Sequence, residues 1–419
     1  MLSNKHTNGP DSRKQARIPR LFSAMSNRNY RLYWVGAGFS SMSMSIGMIA
    51  RGWLVLELTN DPFWVGLIAG LGGLAQVAFG LFGGVLVDRW DKRRVLLGVQ
   101  ALSGLVALVM AFIIFLGTLA LWHLAVSAVL QGMLMAARLP AGNSMIYTMV
   151  GRKVILNALA SQLLAFNLSR IFGSLLAGTA IDDFGVGYAY LFLAASSWLG
   201  GLLILFVNGD YRSEGSGETF WQSAAEGLKY AYRNQPIRAL LMMSVLMELF
   251  GFSFHVMLPV MARDVLGVGA TGLGYLSAAG AFGATVSTIT VAGLGDFREK
   301  LNLLIYTALA AGIFILLFAF SPWFLLSLVF SAMVGAALMS YDAIMGALLQ
   351  LLSTDGIRGR VLGLYGLTFG FTPLGGFIAG TIASLFTAPL AVGLGGVAIL
   401  TYVVSVQRFL KRTVQKAIL

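Results

Sequence analysis

Six ionisable residues fall inside long apolar runs, where a charge near the middle of a membrane-crossing helix costs at least ~2.5–3.5 kcal/mol. Arg51, Arg138 and Arg170 lie in the first half of the chain, and Glu248, His255 and Asp342 in the second. Arginine stays charged at any accessible pH, whereas a carboxyl or imidazole group can exchange a proton with its surroundings. The expected division of labour is plain: the arginines attract an anionic or polar group of a bound molecule, or brace acids across the chain, while Glu248, His255 and Asp342 carry protons. Helical spacing extends each residue into a stripe. Arg51 shares a face with Ser41, Met44 and Met48, Arg138 with Gln131, Arg170 with Asn167 and Ser174, and Glu248 and His255 with Ser244. The alternatives are structural ion pairs, arginines snorkelling to an interface, and a histidine that satisfies one hydrogen bond. Glu57 and Arg263, close to helix ends, read as interface anchors. Met242, Met243 and Met247 beside Glu248 are candidates for an adaptable apolar lining.

The elements that must position these residues are membrane helices. Of 419 residues, 58% are hydrophobic and 11% charged, and the mean hydropathy is +0.81; a water-soluble globule carries ~25% charge. Twelve apolar runs are long enough to cross a bilayer at about 1.5 Å per helical residue. They are 32–57, 63–87, 95–117, 119–150, 156–181 and 188–207, then 239–262, 271–294, 301–320, 323–352, 361–386 and 389–406. The expected fold is an all-α, polytopic membrane protein of two six-helix pseudo-repeat halves. Its expected parts are a polar tail over 1–31, a first half over 32–207, a central loop over 208–238, a second half over 239–406 and a tail over 407–419. In the loop Phe220, Ala224, Leu228 and Tyr232 recur every four residues, which predicts a short amphipathic helix against the membrane surface or the helix ends.

The net charge of +12 marks orientation rather than nucleic-acid binding. With both termini cytoplasmic, 25 of the 29 Lys and Arg fall in cytoplasmic segments and only Arg263 falls on the other side, as the positive-inside bias requires. Asp88, Asp91 and Lys92 recur as Asp296, Glu299 and Lys300 at a constant offset of 208, which supports the pseudo-repeat. There is no cysteine, and the three histidines form no HExxH pattern, so no metal site and no cofactor are expected. No Walker A sequence is present, which leaves ATP hydrolysis without support and an ion gradient as the expected source of energy. No nucleophile–base pair can be assembled either, so an enzyme is not expected.

Between the second and third runs stands Gly83-Gly84-Val85-Leu86-Val87-Asp88-Arg89-Trp90-Asp91-Lys92-Arg93-Arg94. This stretch resembles the signature of the major facilitator superfamily, a glycine, an acid four residues on, then a basic cluster. Gly84, Asp88, Arg89, Arg93 and Arg94 match it, and Asp91 stands where the second glycine of that turn is usual. The resemblance implies a gating role, with Asp88 capping the eleventh helix near Gly359 in the outward-open state. In the fifth helix Gly173-Ser174-Leu175-Leu176-Ala177-Gly178 looks like the small-residue motif of the superfamily's antiporters, with Ser174 in place of proline. Packing of small residues is one reading of Gly173, Ser174 and Gly178. In the eleventh, Pro373, Gly375 and Gly376 are expected to soften the helix.

The segments Arg51 to Pro62, Leu164 to Gly173 and Arg358 to Val361 resemble the enterobactin-exporter-like and macrolide-efflux-like branch, the transmembrane secretion effectors. At Arg138, ahead of Leu139-Pro140, that branch implies an acid, and this chain has the opposite charge. The resemblance implies a proton-driven exporter of drugs or other small amphipathic molecules in a bacterial inner membrane, acting as a monomer on substrate, protons and lipid. A dedicated siderophore or anionic-metabolite exporter is the alternative within transport, and a non-transporting sensor or assembly protein the alternative outside it.

Overall fold

The computed structural model describes residues 23–151, 154–209, 211, 220–294, 299–354 and 356–418, and of these it gives the backbone alone for 23, 81–89, 156, 220–225, 294 and 415–418. Among the described residues twelve helices are long and apolar enough to span a membrane, and there is no strand. The first six are α1 (Arg28–Thr59), α2 (Pro62–Arg89), α3 (Lys92–Phe115), α4 (Leu121–Val150), α5 (Ile155–Phe184) and α6 (Val186–Leu205). After α7 (Phe220–Arg233) come α8 (Gln235–Val265), α9 (Gly269–Leu294), α10 (Lys300–Ala319), α11 (Phe324–Leu352), α12 (Arg358–Leu385) and α13 (Ala388–Ile418).

The chain reverses between helices with local polar groups, because in lipid each free backbone group must find a partner. Asn27 caps α1 by accepting from the backbone N–H of Asn29 at 2.9 Å and of Tyr30 at 3.3 Å. Asn60 ends α1 in the left-handed region, φ 51°. Asp61 then accepts from the N–H of Phe63 at 2.9 Å, and Pro62 opens α2, where a missing N–H is harmless.

An even number of crossings puts the start of α1 and the end of α13 on one face, here called the terminal face. In the first half α1 packs on α5 and α6, α6 on α3, and α2 on α4; in the second α9 packs on α11, and α10 on α11 and α13. The halves join along two seams, α5 with α9 and α2 with α12. Both are close because glycine permits it: a Cβ on Gly66 would stand 2.6 Å from the Gly376 carbonyl, and one on Gly178 2.6 Å from that of Ala270. These positions lie in the parts of the seams toward the face opposite the termini, where the halves are closed.

Two spanning helices are irregular. In α8, π-helical turns cover Glu248–Phe252 and Met261–Val265. In α12 the α-helix stops at Thr368 and resumes at Phe371. The break precedes Pro373, which lacks the N–H that would bond to the carbonyl of Phe369, and shorter-range bonds from Gly370 to Leu367 and from Thr372 to Phe369 replace it. The softening expected of this segment is therefore a defined interruption.

Candidate functional site

The three ionisable residues of the second half separate into two places. Ser244 and Glu248, one turn apart on α8, both face α12: the Ser244 and Thr368 hydroxyls are 2.8 Å apart, and the Thr372 hydroxyl donates to the Glu248 carboxylate. Asp342 of α11 accepts a hydrogen bond from the Tyr365 hydroxyl. Both carboxylates are thus held by hydroxyls of α12, one on each side of the break, and they lie within electrostatic reach of one another. Glu248 is 3% exposed. Tyr341 beside it is buried, its hydroxyl without a partner among the described residues. Gly375 lets α12 come this close, since a Cβ there would run into the Leu249 backbone.

His255 does not share this face, contrary to the spacing argument. The π turn at Glu248–Phe252 takes up an extra residue per turn, and so rotates the rest of the helix. His255 instead lies against α9, its ring 4.0 Å from where a Cβ on Gly280 would stand, and within electrostatic reach of Arg170 on the other half. Its Nδ1 has no partner among the described residues. Met243 and Met247 are packed in the core, and Met242 is exposed, so these residues do not form one lining.

In the first half, the Arg138 guanidinium donates to Ser41 at 3.2 Å, while Gln131 bonds to Ser103 of α3. Their shared stripe therefore serves two neighbours. Arg170 lies over the Phe166 ring, 5.9 Å from its centroid. Arg51 lies beside Tyr190 of α6, and its Nε has no hydrogen-bond partner among the described residues. In that same set none of the three arginines is paired with an acid, so no acid braced by them is seen there. Asn167, 0% exposed, has neither its amide oxygen nor its nitrogen bonded to a described residue, a rare condition for a buried side chain.

Ser174, which stands in the proline position of the small-residue motif, links three helices: its hydroxyl is 2.8 Å from that of Ser45 on α1 and 2.9 Å from that of Ser277 on α9. Gly173 admits the Met42 backbone of α1, and Gly178 admits α9. Gly376 fits against Val256, and Pro373 against Gly73 of α2.

At the terminal face the backbone of Gly84, Asp88 and Arg89 is helical, while the side chains of Asp88 and Arg89 lie outside the described residues, and so does the gating contact expected of Asp88. Arg93 donates to the carbonyls of Ile204 at 3.2 Å and Leu205 at 2.6 Å, at the C-terminus of α6, a favourable place for a cation. Arg94 supplies a backbone N–H to Asp91 at 3.0 Å, and Tyr211 another at 3.2 Å. Partial burial works against ionisation of Asp91, but the N–H groups of Arg94, Tyr211 and Arg93 and the Arg94 charge outweigh it and hold its carboxyl below the ordinary range. An acid in place of the usual glycine thus caps α3 and ties down the segment after α6. Lys92 beside it is 1% exposed.

The amphipathic helix expected in the central loop is α7. Its Glu226 pairs with Arg360 at the start of α12 at 2.5 Å, Ala231 is buried, and Leu228 and Tyr232 are exposed. Arg263, read as an interface anchor, has a partner within the protein: its Nη1 donates to the Leu56 carbonyl of α1 at 2.6 Å. Glu57 is exposed. Spacing and residue type alone do not single out Thr372 and Tyr365, whose one signal is a hydroxyl on either side of the Pro373 break, nor Asp182, an acid at a helix end.

Residues 20–417 match the model of a family described as transmembrane secretion effector. The chain is 22% identical over 406 residues to the enterobactin exporter EntS of Escherichia coli O1:K1, covering 94% of this chain and 97% of that protein, and equally to the EntS of Shigella boydii serotype 18. Solved structures of similar fold include the nucleoside transporter NupG (TM-score 0.72, 14% identity, 92% and 99% of the two chains). Another is a bacterial homologue of the human lysosomal transporter Spinster, inward-facing and unoccupied (TM-score 0.73, 12% identity, 94% and 98%).

Proposed function

Because this chain belongs to the transmembrane secretion effector family of major facilitator transporters, and is a membrane transporter rather than an enzyme, we propose that it is a proton-coupled exporter of small amphipathic molecules. It sits in the bacterial inner membrane with both termini cytoplasmic, so the face closed in this structure is the periplasmic one. The domains are the two six-helix halves, which rock about a central site.

One observation carries the reading: Glu248 and Asp342 each accept a hydrogen bond from α12, on opposite sides of its break. A carboxylate that takes up a proton loses its charge and gains a donor. Protonation therefore changes what holds α12 against α8 and α11, and α12 forms one of the two seams between halves. Arg170, Arg138 and Arg51 keep their charge and supply the attraction for an anionic or polar group entering from the cytoplasm. Asn167 adds two hydrogen-bonding groups with no partner among the described residues, and His255 completes the Arg170 side from across the seam.

A second reading, a dedicated exporter of anionic metabolites such as siderophores, is favoured by the three arginines without acidic partners among the described residues and by the similarity to exporters named for enterobactin. The test is reconstitution in liposomes loaded with a pH-reporting dye, with candidate substrates of each charge class added in turn. Proton flux triggered by neutral or cationic amphipathic compounds supports the first reading, and flux triggered by anions alone the second. Substrate binding without proton movement refutes proton coupling.

A further inference from the structure

The N-terminus of α9 carries its own anomaly. Gly269, with φ +68°, offers no capping side chain, yet the N–H groups of Ala270 and Thr271 are both bonded, to the carboxylate of Asp182 at 3.1 and 2.7 Å. Asp182 belongs to α5, in the other half. It stands so close to Gly269 that a Cβ there would lie 3.0 Å from a carboxylate oxygen. The cap that a helix ordinarily takes from its own chain neighbour is supplied here across the seam between halves.

The mirror arrangement lies elsewhere on the same face. Arg263, in the last turn of α8, donates through Nη1 to the Leu56 carbonyl at 2.6 Å and to the Asn60 side chain at 3.2 Å, the C-terminal end of α1. Its Nε is held by Asp264 at 2.6 Å. One acid of the first half therefore meets the positive end of a second-half helix, and one base of the second half meets the negative end of a first-half helix. Both contacts join the halves, and both lie at the face opposite the termini.

We propose that Asp182 and Arg263 are a paired latch that closes the non-terminal face during transport, each by capping a helix of the opposite half. Opening that face strips α9 of its N-cap and α1 of its C-terminal partner, so the latch favours the state closed there and releases when α5 leaves α9. The partners are backbone groups and the neutral Asn60 side chain, hence no second charged side chain is needed. The latch acts in the alternating-access cycle whatever the coupling ion or cargo.

The chain has no cysteine, so Ala270→Cys, at a position 0% exposed beside the latch, gives a single thiol that a membrane-impermeant maleimide reaches only when this face opens. Against that background, Asp182→Ala and Arg263→Met are each expected to raise the alkylation rate by roughly 2- to 30-fold, the span of a lost helix cap, and the double variant by the product. Asp182→Asn, which keeps one acceptor oxygen, is expected to fall between wild type and Asp182→Ala, a gradation that general loss of folding does not produce. Because alkylation is read without transport, failure of the latch is distinct from failure of proton coupling. Unchanged rates in both variants overturn the assignment, and a rise in only one overturns its paired form.

Discussion

The two halves hold their charges in different ways. In the first, Arg51, Arg138 and Arg170 are spread over three helices and, among the described residues, bond to little: one serine, the face of one phenylalanine, the side of one tyrosine. In the second, Glu248 and Asp342 lie within electrostatic reach of each other, and each is held by a hydroxyl of the same broken helix. A guanidinium cannot shed its proton, so a sparsely bonded one is a standing attraction awaiting a partner. A carboxylate clamped to an interrupted helix can change the helix by changing its own charge. On the mechanism proposed above, the difference would separate a half that binds from a half that switches.

The sharpest way to break this contrast is to fix the switch. Glu248→Gln and Asp342→Asn are each expected to lower substrate-driven proton flux in proteoliposomes at least about tenfold, equivalent to ~1.4 kcal/mol in the barrier, with substrate binding measured by calorimetry retained. If binding were lost and coupling kept, the roles of the halves would be exchanged. Arg170→Ala comes next: the half-saturating concentration of an anionic substrate is expected to rise about 10- to 100-fold, the worth of a charged hydrogen bond. A neutral analogue should be little affected, and Arg170→Lys should be intermediate because lysine keeps the charge without the planar fork. Thr372→Val and Tyr365→Phe, which leave the acids in place and remove their donors, are expected to slow turnover by about 3- to 10-fold, as a net hydrogen bond of roughly 1 kcal/mol implies. A shift in the pH dependence of turnover would accompany it.

The smallest effect lies outside the membrane. Asp91 has its carboxyl held below the ordinary range by backbone N–H groups. A depressed folded-state value means that its contribution to stability is present above the unfolded value of about 3.9 and is lost as pH falls through the folded one. Asp91→Asn is therefore expected to lower the unfolding temperature slightly at neutral pH, and the gap to wild type should close in acid. Thermal melts in detergent across that range measure it.

Much of the architecture is legible in the sequence because it rests on length and composition: twelve apolar runs, two halves, an amphipathic helix before the second. The charged residues are legible as well, since an ionisable group in an apolar run stands out. Their grouping is not. Helical spacing puts His255 with Glu248, and a π turn that no residue pattern announces carries it toward Arg170 instead. Arg263 reads only as an interface anchor because tertiary structure alone brings the end of α1 to it, and Asp182 escapes notice because its partners are backbone N–H groups, which have no sequence signature. Thr372 and Tyr365 are ordinary hydroxyl residues until the break before Pro373 places them beside the two acids.

Proton exchange by the second-half acids is the centre of this mechanism. Infrared difference spectroscopy of the purified protein in lipid, between acid and alkaline buffer, reads carboxyl protonation directly and needs no knowledge of the substrate. The expected result is a titrating carboxyl C=O band in the wild type that diminishes in Glu248→Gln and again in Asp342→Asn. A spectrum in which both variants retain the full wild-type band would contradict it.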